Sequence, residues 1–205
     1  MITDYTSLQA EIASWIHRSD LSASIPTFIS MAEAKMNGDL ESRSMEVRVT
    51  LVCNPDGTLN ARLVTLPNDV LEMRRLLLMN EPAVVLEYKS PDQLVADNGF
   101  QLSPGCPLDF TVIANSIELS PPPDKAYPLE LVYKQRLPVL SGTNTTNWAL
   151  LQNPNLYLFG ALLASVPFTK NTTDAPTFAA EYQKAVETVN LIDWYSGSTM
   201  RVRAR

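Results

Sequence analysis

The chain has 205 residues, 45% of them hydrophobic, and a formal net charge of -6, so it can fill one substantial core and is not a disordered polar chain. The acidic balance argues against a general nucleic-acid binder, which would meet backbone phosphates with Lys and Arg. Met1-Ile2-Thr3-Asp4-Tyr5 lacks the basic region and apolar run of a secretory signal, so a cytoplasmic origin is expected.

In chain order, the first helix is expected to start near Asp4 or Thr6, where Thr6 and Gln9 have capping-box spacing, and to end around His17 or Arg18. Its apolar stripe is Leu8, Ile12, Trp15 and Ile16. A short turn over Ser19 to Ser24 leads to a second helix with Pro26 in its first turn and a stripe of Phe28, Ile29, Ala32 and Met36. Gly38 weakens that helix near its end. So short a connection implies an antiparallel pair.

From Met45 the period changes to two. Val47, Val49 and Leu51 alternate with polar residues, and after Asn54-Pro55-Asp56-Gly57 the chain resumes with Leu59, Ala61 and Leu63, which predicts a hairpin. Leu76 to Met79, Ala83 to Tyr88 and Phe110 to Ile113 are too short for helices and read as strands. Ser90 and Pro91 have the chemistry of a cap and first position for a one- or two-turn helix, and Phe100 to Pro107 reads as an irregular loop. Ile117-Glu118-Leu119 and Leu129-Glu130-Leu131-Val132-Tyr133 flank a proline-rich turn, which suggests a second hairpin.

The closing segments are helical again. A short helix is predicted at Trp148 to Gln152, then one over the run from Asn153 to Phe168 with the stripe Phe159, Leu162, Leu163 and Val166. After a polar gap, a further helix beginning near Pro176 carries Phe178, Tyr182, Ala185, Val186 and Val189. The longest nearly apolar stretch, Leu156 to Phe168, falls short of the roughly 20 residues that span a bilayer, so no membrane span is expected.

The fold class expected is α+β: an antiparallel helical bundle from residues 1–44 and 147–195, and an inserted unit over 45–146 whose strands and hairpins occupy about 45–137. The predicted bundle core is Leu8, Ile12, Trp15, Ile16, Phe28, Ile29, Ala32, Phe159, Leu162, Leu163, Phe178, Tyr182 and Val186. Residues 196–205 form a flexible arm in which Arg201, Arg203 and Arg205 alternate with Val202 and Ala204. The arm reads either as a solvated terminus or as a strand-like element that adds to a partner, its arginines meeting carboxylates. Three arginines give a salt slope of only about -2.7, too little for strong DNA binding by one copy.

Catalytic patterns are missing. His17, the only histidine, falls in the last turn of the first helix beside Arg18, where a solvated helix-end role is expected. No Gly-rich phosphate loop, Gly-x-Ser-x-Gly or His-Glu-x-x-His occurs. Glu33 with Asp39 and Glu41, or Glu72 with Glu81, form no pair whose spacing fixes the roughly 5 to 9.5 Å a glycosidase needs. Cys53 and Cys106 have no metal spacing and read as reduced, partly buried thiols. No cofactor, metal or catalytic residue is expected.

The order of segments resembles the adaptor protein family of tailed bacteriophages, the head-tail connector component beneath the portal, especially in short-tailed phages. The resemblance begins with Leu8-Gln9-Ala10-Glu11-Ile12-Ala13-Ser14-Trp15, Ser19-Asp20-Leu21 and Ile25-Pro26-Thr27-Phe28-Ile29-Ser30-Met31-Ala32-Glu33-Ala34. It continues through Leu66-Pro67-Asn68-Asp69-Val70-Leu71-Glu72-Met73-Arg74-Arg75-Leu76 and Leu86-Glu87-Tyr88-Lys89-Ser90-Pro91. The last blocks are Ile117-Glu118-Leu119-Ser120-Pro121, Leu129-Glu130-Leu131-Val132-Tyr133, Asn147-Trp148 and Asn155-Leu156-Tyr157-Leu158-Phe159-Gly160-Ala161-Leu162-Leu163. Each block alone is ordinary amphipathic or turn sequence, and their collinearity carries the resemblance.

That resemblance implies a structural virion protein at the neck, assembled in the host cytoplasm as a homo-oligomeric ring, commonly of twelve copies. Its partners would be the portal protein, a tail or nozzle protein, and double-stranded DNA passing through the lumen without sequence-specific binding. The tail does not line up with the family pattern, and Arg201, Val202, Arg203 and Arg205 are read from their own alternation as a candidate docking arm for portal or neighbour. Two other readings stay open: another neck or tail component such as a nozzle or head-completion protein, and a virion-associated peptidoglycan hydrolase using carboxylates such as Glu33 and Glu72.

Overall fold

The computed structural model describes residues 1–53, 62–98 and 103–197. The Asn54-Gly57 turn, with Leu59 and Ala61, the first part of the 100–107 loop, and the arm with Arg201, Val202, Arg203 and Arg205 lie outside the described residues. The chain is α+β and divides into two compact units, Met1–Met45 with Leu137–Arg205, and Glu46–Arg136.

In the first unit, α1 spans Tyr5–Ile16. Its cap is Asp4, not Thr6: the Asp4 carboxylate accepts the Ser7 N–H at 2.7 Å, and Ser7 Oγ accepts the Asp4 N–H at 3.0 Å. Serine thus takes the place of the Glu or Gln usual in a capping box. The helix ends at His17, whose left-handed φ of 53° brings its N–H to the Ala13 carbonyl. A 3-10 turn over Ser19–Ser24 leads into α2, Ile25–Asp39, with Pro26 in its first turn, where a missing N–H is tolerated.

After Leu137 come α4 (Trp148–Gln152), α5 (Pro154–Thr169) and α6 (Ala175–Gly197), with α3 lying in the second unit (Pro91–Asn98). Asn147 caps α4 by accepting the Leu150 N–H at 2.9 Å. The most apolar of these helices, α5, packs against α1, α2, α4 and α6. Its Gly160 permits the close approach: a Cβ there would lie 3.2 Å from Ala32 Cβ, 3.2 Å from Met36 Cε and 3.3 Å from Tyr182 Cε2.

Among the described residues the second unit contains two four-stranded sheets. The first has the order β1 (Glu46–Cys53), β8 (Tyr127–Gln135), β3 (Val70–Leu78), β4 (Val84–Val85) and is antiparallel throughout. The second has the order β2 (Leu63–Thr65), β7 (Ser116–Ser120), β6 (Asp109–Ile113), β5 (Glu87–Tyr88), with β5 and β6 parallel.

The second predicted hairpin is replaced by other pairings, and of the first only the described strands can be placed, with its turn outside the described residues. Among the described residues β1 pairs with β8, setting Val47, Val49 and Leu51 opposite Tyr133, Leu131 and Leu129, while β2 pairs with β7. Strand β8 does not pair with β7. It lies between β1 and β3, and on the β3 side Leu129 and Leu131 stand opposite Leu78 and Leu76. Leu129, Leu131 and Tyr133 share one buried face of β8, while its two edges are hydrogen-bonded to β1 and β3. The local hairpin is β6–β7, turning at Ala114-Asn115 with φ 53° at Ala114. Strand β3 also begins earlier than its apolar run, because bulges at Val70/Glu72 and Met73/Arg75 interrupt the alternation.

Residues from both sheets form one core, including Val64, Leu76, Leu78, Phe110, Ile117, Leu119, Leu129 and Leu131. The helix α3 carries a reciprocal cap, Gln93 N–H to Ser90 Oγ at 3.3 Å and Ser90 N–H to Gln93 Oε1 at 3.2 Å.

Candidate docking site

Of the residues predicted to form the helical core, Leu8, Ile12, Phe28, Ile29, Ala32, Leu162, Tyr182 and Val186 are buried. Ile16, Phe159, Leu163 and Phe178 are half-buried. Trp15 requires correction, for it is 46% exposed. Its indole meets Phe159 edge-on at 6.0 Å and Phe178 at 6.3 Å, and its N–H donates to Glu11 at 3.2 Å. It belongs to an aromatic surface cluster joining α1, α5 and α6, because a large ring in the last turn of α1 has packing partners on one side alone.

Glu33, screened from sequence as a carboxylate that might do chemistry, is 4% exposed. Its Oε1 accepts the Leu140 N–H at 2.9 Å and the Tyr157 hydroxyl at 3.2 Å. Asn147 Nδ2 donates to Tyr157 Oη at 2.6 Å and to the Pro138 carbonyl at 2.8 Å. Burial pushes the Glu33 carboxyl above its usual range despite these donors, and burial pushes the Tyr157 hydroxyl up as well. The arrangement pins the segment after Leu137 to α2 and α5.

Glu72 belongs to the other unit, where it pairs with Arg74 at 3.1 Å. On the same sheet, Glu130 lies between Arg75 at 2.7 Å and Arg48 at 3.5 Å. No group of three or more His, Cys, Asp or Glu among the described residues could hold a metal ion. Cys53 and Cys106 are both free thiols, the first buried and the second exposed. Among the described residues no helix is long and apolar enough to cross a membrane.

Two surface depressions stand out. In the strand unit, a cleft of about 590 Å³ is lined by apolar residues such as Leu66, Met73, Leu86 and Phe110, with Arg74 and Arg75 at it. In the helical unit, a groove of about 530 Å³ lies between the end of α2 and the face of α6, lined by Asp39, Gln183, Val186, Glu187, Asn190 and Leu191.

The groove is built firmly. Tyr182 donates to Asp39 Oδ2 at 2.9 Å, and Asn190 Nδ2 donates to the Asp39 carbonyl at 3.1 Å. Asn190 Oδ1 in turn accepts the Glu41 N–H at 2.9 Å. These bonds satisfy groups at the C-terminal end of α2 and tie it to α6. Burial, and then the Asp39 carboxylate, raise the Tyr182 hydroxyl far above its ordinary value.

A family model described as SU10 adaptor protein matches residues 3–203. The chain belongs to the SU10 adaptor protein family. This is a family of phage structural adaptors, which places the adaptor in the virion. A search of curated proteins returns no match. The match covers both units of the adaptor, so it applies to the helical framework and to the inserted sheets alike.

Sequence reasoning missed the α2–α6 groove of the adaptor. The local signal was the i, i+3, i+4 spacing of Gln183, Val186, Glu187, Asn190 and Leu191 on one side of α6. Nothing in that spacing announces Asp39, which arrives from far away in the chain.

Proposed function

We propose that this adaptor forms a ring beneath the portal, joins capsid to tail, and leaves a channel through which DNA passes. The match to the adaptor family over residues 3–203 is the observation that carries the reading. The net charge of -6 suits passage, since an acidic subunit repeated around a channel repels DNA and does not grip it. We read the α-helices of residues 1–44 and 147–195 as a bundle, the portal-side element, and the inserted β-rich unit over 45–146 as facing neighbours or tail. The Arg201, Val202, Arg203 and Arg205 arm docks on portal or neighbour. Twelve copies is the ring size the family resemblance implies.

Light scattering of the purified chain, alone and mixed with the matching portal ring, tests this. Capture of many copies by the portal is expected. A monomer indifferent to portal would sink the proposal and leave a nozzle or head-completion role as the next to examine.

A further inference from the structure

We propose that the acidic groove between α2 and α6 receives the C-terminal arm of an adjacent copy, its arginines meeting Asp39 and Glu187. The inference rests on the ring reading above and adds the contact that ties one copy to the next.

The groove's chemistry selects a cationic, partly apolar strand. Its lining holds two carboxylates, Asp39 and Glu187, and no cation, with Val186 and Leu191 supplying apolar surface. Leu191 is 53% exposed, so the apolar surface is open. Asp39 is met from its own helix by Lys35 at 3.4 Å, whereas Glu187 accepts from the neutral Gln183 amide at 3.3 Å. Glu187 is therefore the stronger anchor for an incoming guanidinium.

The arm carries the complementary pattern. In an extended segment, side chains alternate between two sides, so Arg201, Arg203 and Arg205 share one and Met200, Val202 and Ala204 the other. One side suits the carboxylates and the other suits Val186 and Leu191.

The ring reading favours the neighbour's groove over the chain's own. From Glu187 to Gly197, α6 runs about 15 Å away from the groove, and the eight residues that follow reach at most about 29 Å. To return to its own groove, the arm must reverse at the helix end. That reversal is within the arm's reach, so length alone does not choose between the two grooves. An arm and a groove are two different patches on one chain, and repeating such a heterologous contact closes a ring.

Two full-length variants in a Cys106→Ser background test the contact, one carrying Glu187→Cys and the other Arg203→Cys. They are mixed, assembled on the portal ring and mildly oxidised. A disulfide between chains is expected at about tenfold or more over a control in which Thr172→Cys replaces Glu187→Cys, because docking raises the effective concentration of the thiols. Rings that form with no more linkage than the control would overturn the arm contact and leave the ring standing. A single chain bearing both cysteines that closes on itself within the ring, without linking to a neighbour, would also overturn it. Failure of the unmodified chain to assemble at all would instead reject the ring reading, and the contact with it.

Discussion

Glu33 on α2 and Tyr157 on α5 share a hydrogen bond of 3.2 Å in the helical unit, and the same carboxylate oxygen accepts the Leu140 N–H at 2.9 Å. One acidic side chain thus organises three segments that are far apart in sequence. Glu33→Ala leaves both donors buried without an acceptor and should cost about 2–3 kcal/mol, seen as a lower denaturant midpoint. Glu33→Gln retains an acceptor oxygen and should stay within about 1 kcal/mol of the parent. The two variants also separate structure from chemistry: peptidoglycan turnover that disappears in Glu33→Gln, with stability retained, would revive the hydrolase reading.

The pH dependence of that carboxyl has a definite sign. Its folded value is raised above the ordinary 4.5, so the folded state holds the proton more tightly than the unfolded state does. Its contribution is fully present below the unfolded value and is lost as pH rises through the folded one. Denaturation series at stepped pH should show a fall in stability above 4.5 that is absent in Glu33→Gln. An identical slope in both proteins would mean that other groups set it.

Gly160 lies where α5 meets α2 and α6, with Ala32 Cβ, Met36 Cε and Tyr182 Cε2 each within 3.3 Å of where a Cβ would sit. Met36 can swing aside at its flexible end, but Ala32 Cβ is fixed to its backbone. Gly160→Leu forces the helices apart and should cost about 3 kcal/mol or more. Gly38, where an added Cβ meets nothing within 4 Å, is the control: Gly38→Ala should be neutral or stabilising.

How much of this was legible in the sequence depends on whether a contact is local. The α5 and α6 stripes and the Ser90 cap follow from spacing along one segment, and the structure has them. Strand pairing does not, because the alternation of Val47, Val49 and Leu51 says which residues share a face and not which strand lies alongside. The same holds for Leu129, Leu131 and Tyr133, whose alternation marks one face of β8 and not its place between β1 and β3. Trp15 has the right spacing for the core but too few partners to enclose its ring. The groove was illegible because Asp39 and Glu187 meet through tertiary packing alone.

Among the described residues, His17 at 53°, Ala114 at 53° and Lys170 at 55° hold positive φ without being glycine. Such a conformation costs an L-residue about 1–2 kcal/mol, which glycine avoids at the expense of a more flexible unfolded chain. Ala114→Gly and Lys170→Gly should each stabilise by about 0.5–1 kcal/mol. Thermal melts of both and of the double variant would check this, with near-additive shifts expected because the sites lie in different units.

Four tyrosines should make the protein sensitive to alkali. Burial comes first in raising Tyr133, Tyr157 and Tyr182, and the hydrogen bond to Asp124 comes first in raising Tyr127. All four folded values exceed the ordinary 10.0, so the stability they contribute is intact below that pH and is lost as pH climbs toward the folded values. The share of tyrosinate absorbance that these four of the seven tyrosines contribute should therefore rise with unfolding, not ahead of it, and loss of helical circular dichroism should follow that share. Tyr182→Phe removes one such group and the hydrogen bond to Asp39. It should lower stability at neutral pH by about 1 kcal/mol while shallowing the alkaline slope. A Tyr182→Phe slope equal to the parent's would show that Tyr182 ionises without regard to the packing of α6 on α2.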